Sequence, residues 1–106
     1  MERICLLFQI VPGMGAEFDR RHREAWPELT RALTDAGFRN YTLFRRDVDV
    51  VAYGECEPDA QTCFARLGAM DVSRRWNASF VPEIMAEQAV DAGGATVPVA
   101  EVWHLA

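Results

Sequence analysis

Residues 4 to 11, ICLLFQIV, constrain the fold more than any other stretch of this 106-residue chain. Side chains of a strand point alternately to two faces. Here Ile4, Leu6, Phe8 and Ile10 lie on one face and Cys5, Leu7, Gln9 and Val11 on the other, so both faces are largely apolar. A sheet with one face in water shows polar residues on its wet side. This strand does not, and the sheet that contains it needs cover twice. Helices supply one cover. A second copy of the chain, packed sheet against sheet about a two-fold axis, is the expected other, because an open apolar sheet invites aggregation. The pattern therefore predicts a homodimer.

Pro12 and Gly13 stop that strand, and an amphipathic helix follows. At about 100° per residue, Phe18, His22, Ala25, Trp26, Leu29, Ala32 and Leu33 share one stripe, while Asp19, Arg20, Arg23, Glu24 and Arg31 point elsewhere. Pro27 cannot donate to the Arg23 carbonyl and disfavours helical geometry at Trp26, which predicts a break there. Gly37 closes the helical region. NYTLFR (40 to 45) and VVAYGECE (50 to 57) read as a hairpin around Asp47 to Asp49. Pro58 and Asp59 open a second helical region that divides near Asp71, an expected N-cap, with Val72, Trp76 and Phe80 at helical spacing as far as Pro82. Residues 90 to 98 read as a glycine-containing connection and 99 to 106, VAEVWHLA, as a final strand. The order β-α-β-β-α-β is the ferredoxin-like α+β arrangement, one domain over residues 1 to 106.

A net charge of −5 leaves no excess of cations for a phosphate backbone or an anionic bilayer, so neither nucleic acid nor membrane is an expected partner. No apolar run reaches the length of a membrane span, and ICLLFQIV lacks the basic flank and cleavage pattern of a signal peptide. The three cysteines, Cys5, Cys56 and Cys63, have no CxxC spacing and read as small core residues of a cytoplasmic protein. The two histidines, His22 and His104, have no carboxylate at ligand spacing, and no metal site is expected. No glycine-rich phosphate loop is present, and no nucleotide cofactor is expected.

The residues able to line a pocket between sheet and helices are His22 and Trp26, Tyr41 on the second strand, and Trp76 beside Asn77. Aromatic faces with a few hydrogen-bonding groups suit a small polyol better than an anion. Each also has a plainer reading. His22 could be a core histidine bonded to a carbonyl, the tryptophans core filling, and Tyr41 a strand residue with its hydroxyl in water. The Arg20, Arg21 and Arg23 cluster reads as a solvated helix face.

FxxxHxxxWPEL at 18 to 29, AGFRNYTLF at 36 to 44, DVSRRW at 71 to 76 and EVWHL at 101 to 105 together resemble the L-rhamnose mutarotases over nearly the whole chain. The resemblance implies a dimeric α/β-barrel protein that interconverts the α and β anomers of a free monosaccharide without a cofactor. It places the family's proton-donating histidine on His22, a sugar-contacting tyrosine on Tyr41 and the first residue of a tryptophan pair on Trp76. Phe18 and Asn77 stand where the rhamnose enzymes usually carry a tyrosine and the second tryptophan. Both are substrate-binding positions, and both changes alter the hydrogen bonds offered to the sugar. On this reading His22 protonates the ring oxygen while Tyr41 or a water takes the second proton. Other functions known on similar scaffolds are sugar binding or sensing without catalysis, and cofactor-free monooxygenation, which consumes oxygen.

Overall fold

The computed structural model describes residues 1–85 and 99–106. The connection expected at 90 to 98 lies outside the described residues. Elements run β1 (Glu2–Gln9), α1 (Gly15–Arg23), α2 (Pro27–Ala36), β2 (Phe38–Arg46), β3 (Asp49–Cys56), α3 (Ala60–Gly68) and α4 (Asp71–Ala78). This is an α+β fold in which the strands form an antiparallel sheet of order β1-β3-β2.

Each boundary has a local cause. Pro27 occupies the first turn of α2, where its missing N–H costs nothing, and it holds Trp26 extended at φ −60°, ψ 131°. The expected break is therefore present. Gly37 ends α2 at φ 111°, a left-handed conformation that a side chain disfavours. Asp59 caps α3, its carboxylate accepting from the Thr62 N–H at 2.7 Å. The second helical region divides where expected, but Met70 is the capping residue of α4 and Asp71 lies one position inside the helix. From there Asp71 pairs with Arg75 one turn on, at 2.7 Å, and favours the helix N-terminus by its charge.

Ile4 and Leu6 on β1, with Val50, Ala52 and Cys56 on β3, face the helices and are buried. Ile4, Leu6 and Cys56 pack with Ala36, Phe38 and Cys63 in one cluster, and Val50 packs with Ile10, Phe18, Phe80 and Ile84 in a second. A third joins Leu29 and Ala32 of α2 to Val72 of α4. The break at Trp26 thus divides the apolar stripe of the first helical region. Phe18 serves the sheet, and Leu29 and Ala32 serve α4.

The hairpin carries a feature that alternation alone does not show. Arg39 pairs with Glu55 but Thr42 with Tyr53, so Asn40 and Tyr41 together face Gly54 in a β-bulge. Asn40 has φ 50°, a left-handed conformation that asparagine tolerates. The extra residue turns Tyr41 to the helix side. A Cβ on Gly54 would sit 2.7 Å from Tyr41 Cδ2, so the glycine makes room for the ring.

The final strand expected at 99 to 106 does not form. A strand needs a ladder, and the described backbone bonds give this segment one bond to the sheet, from the Val99 N–H to the Cys5 carbonyl at 2.8 Å. Arg3 adds a two-pronged ion pair to Glu101.

Candidate functional site

His22 lies in the last turn of α1 and is half-buried among rings. Its centroid is 4.3 Å from Phe18, 5.4 Å from Phe80 and 5.5 Å from Trp76, the last two edge to face. Trp76 in turn meets Phe80 at 4.8 Å and Trp26 at 5.1 Å. Edge-to-face pairs of this kind add about 0.5–1.5 kcal/mol each beyond their buried area. The imidazole is therefore fixed by α1, α4 and the Phe80 turn together.

One imidazole nitrogen is committed. Nδ1 lies 2.8 Å from the Phe18 carbonyl oxygen one turn earlier. A carbonyl can only accept, so Nδ1 carries the hydrogen. In the neutral ring Nε2 is then the acceptor, and in the imidazolium both nitrogens donate. Burial holds the His22 pKa below its ordinary 6.5, with the Phe18 carbonyl and then the Asp19 carboxylate acting in the opposite direction. Near pH 7 the ring is mainly neutral. Asp19 is itself held across the fold by Arg45 of β2, at 2.7 and 2.6 Å, and this fork keeps the carboxylate well ionised.

Beside the ring cluster a cleft of about 310 Å³ is lined by Arg20, Arg21, Glu24, Trp26, Trp76 and Ser79. Its size is at the lower end for small-molecule sites. Trp76 belongs to both the cleft wall and the His22 cluster. Arg21 closes one side: it donates to the Ser79 carbonyl at 2.7 Å and to Glu17 at 2.9 Å, and its guanidinium lies 5.4 Å above Phe80. Bonds from Arg20 and then Arg21 hold the Glu17 carboxyl at about 2. The arginine cluster expected to be a solvated face is thus partly structural, because Arg21 ties α1 to the end of α4. Glu17, spaced three and four residues before Arg20 and Arg21, is the sequence signal for that network.

The structure brings together Phe18, His22, Trp26 and Trp76 of the residues singled out from the sequence. Phe18 is 3 % exposed and backs His22 from the core side. Asn77 is exposed next to Trp76 on α4. Tyr41 stands apart from these rings: it meets Phe38 at 5.5 Å over Gly54. Although the residue is exposed overall, burial of the phenol, and secondarily Cys56, raises its pKa above 10.0. Phe80, which contacts Phe18, His22 and Trp76, is a member that sequence reasoning placed only as helical spacing.

A half-buried histidine with one committed nitrogen, walled by aromatic rings beside a small cleft with charged walls, is the group of this α+β fold able to move a proton. A family model described as L-rhamnose mutarotase matches residues 3–105. The chain belongs to that family. It is 33 % identical over 105 residues to an L-rhamnose mutarotase of Burkholderia ambifaria (strain MC40-6), covering 99 % of each chain. It is 34 % identical over 105 residues, with the same coverage, to one of Acidiphilium cryptum (strain JF-5). The crystal structure of an L-rhamnose mutarotase from Formosa agariphila superposes with a TM-score of 0.78 over 100 % of both chains at 23 % identity, a likeness of fold.

Proposed function

We propose that the protein interconverts the α and β anomers of a free monosaccharide, L-rhamnose or a close relative, with His22 as the proton-transfer group. The observation that carries the assignment of His22 is the Nδ1 bond to the Phe18 carbonyl, which leaves Nε2 as the nitrogen available to a ligand. Neutral Nε2 takes the proton of the anomeric O1–H. The C1–O1 bond becomes a carbonyl as the C1–O5 bond breaks, and the ring oxygen takes the proton from Nε2–H. O1 and O5 share one carbon, so a single nitrogen can serve both. The aldehyde turns about C1–C2 and the steps reverse on the other face. Atoms and protons balance with no oxidant, which separates this reading from monooxygenation, and the chemistry distinguishes it from a sensor that only retains the sugar.

Trp76 supplies an apolar face for the sugar's C–H groups, and Asn77 beside it supplies an amide that both donates and accepts. Phe18 orients His22 through its carbonyl and ring. Tyr41 lies beside Phe38, outside the cleft next to His22, so this reading gives the second proton transfer to His22 itself and not to Tyr41. Saturation-transfer NMR on free L-rhamnose tests the assignment: the parent should accelerate exchange between anomers, and His22→Asn should lose that acceleration by roughly a hundredfold or more.

The same reading takes the chain as one ferredoxin-like domain that works as a cytoplasmic homodimer. Support for the dimer lies on the sheet face away from the helices, where Leu7 and Phe44, 59 and 61 % exposed, flank Val51 in one row across all three strands. No helix among the described residues is long and apolar enough to cross a membrane. Light scattering at micromolar concentration checks the assembly, and a monomer would contradict it.

A further inference from the structure

Arg21 and His22 are consecutive on α1, and Ser79 and Phe80 are consecutive at the end of α4. The structure pairs them in that order. Arg21 Nη1 donates to the Ser79 carbonyl at 2.7 Å, and the His22 ring meets the Phe80 ring at 5.4 Å. Carbonyls at a helix C-terminus lack partners in the ladder, so a cation satisfies this one by bond and by charge. Arg21 also donates from Nε to Glu17 at 2.9 Å and lies 5.4 Å over Phe80. Its side chain is 24 % exposed against 50 % for Arg20, whose bonds go to Glu17 and Glu24 beside it. Ser79 reaches back in turn, its hydroxyl donating to the Trp76 carbonyl at 2.6 Å. One guanidinium thus holds the stretch of chain that carries both rings packed edge to face with the imidazole, Trp76 and Phe80.

We propose that Arg21 is a positioning residue for proton transfer at His22, strapping the end of α4 to α1 so that the Trp76 and Phe80 rings hold the imidazole in its working orientation. The proposal rests on the reading of His22 as the proton-transfer group and goes beyond it by naming what holds that group. Arg21 acts through the two rings and transfers no proton itself. Two observations separate this role from general support of the fold. Among the described residues no backbone bond joins α1 to α4 or to Phe80, so side chains set their spacing. The strap is also anchored one residue from His22 and one from Phe80, where a small shift passes directly to the pair. Misplacing a reacting group by about 1 Å can cost roughly a hundredfold in rate. Glu17, its carboxyl held at about 2 by bonds from Arg20 and then Arg21, is ionised wherever His22 titrates, so the strap does not loosen across that range.

The test is a mutant cycle on the full-length chain: Arg21→Met, Phe80→Leu and the double variant, with Arg21→Lys beside them. Methionine keeps an apolar stem but donates no bond. Saturation transfer at several concentrations of free L-rhamnose gives kcat and KM. Arg21→Met, with native circular dichroism, should lower kcat about tenfold or more and leave KM within about twofold. Arg21→Lys, which can still donate to Ser79, should recover part of the loss. In the Phe80→Leu background Arg21→Met should have little further effect, because both act through one wall. Titration of the His22 ring by NMR in the free protein reads the same strap without sugar. Asp19, paired with Arg45 of β2, is the carboxylate acting on His22, while α4 and the turn after it present Trp76 and Phe80. Loosening that wall admits water, so the midpoint should rise toward 6.5 in Arg21→Met and in Phe80→Leu, and no further in the double variant. Phe80→Leu changes no charge, so a shared rise comes from exposure and not from loss of a cation. Unchanged kcat in folded Arg21→Met, or additive effects through the cycle, would overturn the positioning role. A raised KM with kcat held would also overturn it and make Arg21 a sugar contact. A parent that accelerates exchange of no sugar would overturn the reaction proposed for His22, and the strap would then stand or fall on the shared rise in the midpoint.

Discussion

At the residue scale, His22 shows how far a pattern carries and where geometry must take over. Its place in an apolar stripe was legible, and so were both of its readings, core histidine and proton-transfer group. The structure shows that the two are compatible: the carbonyl bond expected of a core histidine is what fixes the tautomer. The direction of the proton was not legible, because burial, which lowers the pKa, depends on Trp76 and Phe80, distant in sequence. In the folded chain His22 titrates below 6.5 and in the unfolded chain near it. Within that window the unfolded chain binds more protons, so stability rises with pH; the contribution is complete above about pH 6.5 and is lost as pH falls through the folded value. Denaturant unfolding of the parent and His22→Asn at about pH 7.5 and about pH 5 should show their difference in stability shrinking toward the acid side. A difference independent of pH would place the His22 pKa at its ordinary value. On the proposed reading Asn77, beside Trp76, touches the sugar, and Phe18, buried behind His22, acts on the choice of sugar only through the imidazole. Phe18→Tyr adds a hydroxyl behind His22, and Asn77→Trp exchanges an amide for an apolar face. A site that bonds a hydroxyl discriminates more strongly than an apolar wall. The double change should raise exchange of L-rhamnose relative to whatever sugar the parent prefers, with the two single changes coupled. An unchanged ratio of exchange rates in all four proteins would remove both positions from the choice of substrate.

The elements were legible wherever proline or glycine acts locally, whereas of the aspartates the expected cap, Asp71, lies inside α4 and Asp59, read only as opening the region, is the cap of α3. The Trp26–Pro27 break, the Gly37 stop and the Asp59 cap each depend on one residue's backbone chemistry. Asp59→Ala should accordingly cost about 1 kcal/mol, read as a shift in denaturation midpoint without a change in slope. Gly37→Ala should cost more. Its φ of 111° is strained for alanine, and the new methyl group would collide with the Glu57 carbonyl and the Cys63 sulfur. The bulge at Asn40 and Tyr41 was not legible, since it arises from register between strands and not from order along one of them. It decides where Tyr41 points, and so why this tyrosine leaves the His22 rings for Phe38. The expected strand at 99 to 106 failed for the complementary reason: alternation marks a segment able to join a sheet but does not supply the neighbour.

For the whole molecule, the two-sided apolar pattern of β1 was the most informative signal and is also the one that the described residues of the chain leave unanswered. Helices cover Ile4 and Leu6, whereas Leu7 stays open with Phe44. The same division runs through the function. Family membership rests on residues 3–105 taken together, and the aromatic cluster around His22 gives the proposed proton transfer a physical setting. Loss of Nε2 should therefore remove the activity without removing the fold, because the packing of Phe18, Trp76 and Phe80 does not require the imidazole's titration. The decisive measurement is saturation transfer between the α and β anomers of free L-rhamnose, with parent, His22→Asn and no protein compared at neutral pH. The account predicts rapid transfer with the parent, and transfer at the uncatalysed rate with a His22→Asn variant whose circular dichroism is native. Equal acceleration by parent and folded variant would contradict the role given to His22, and no acceleration by the parent for any free sugar would contradict the proposed reaction itself.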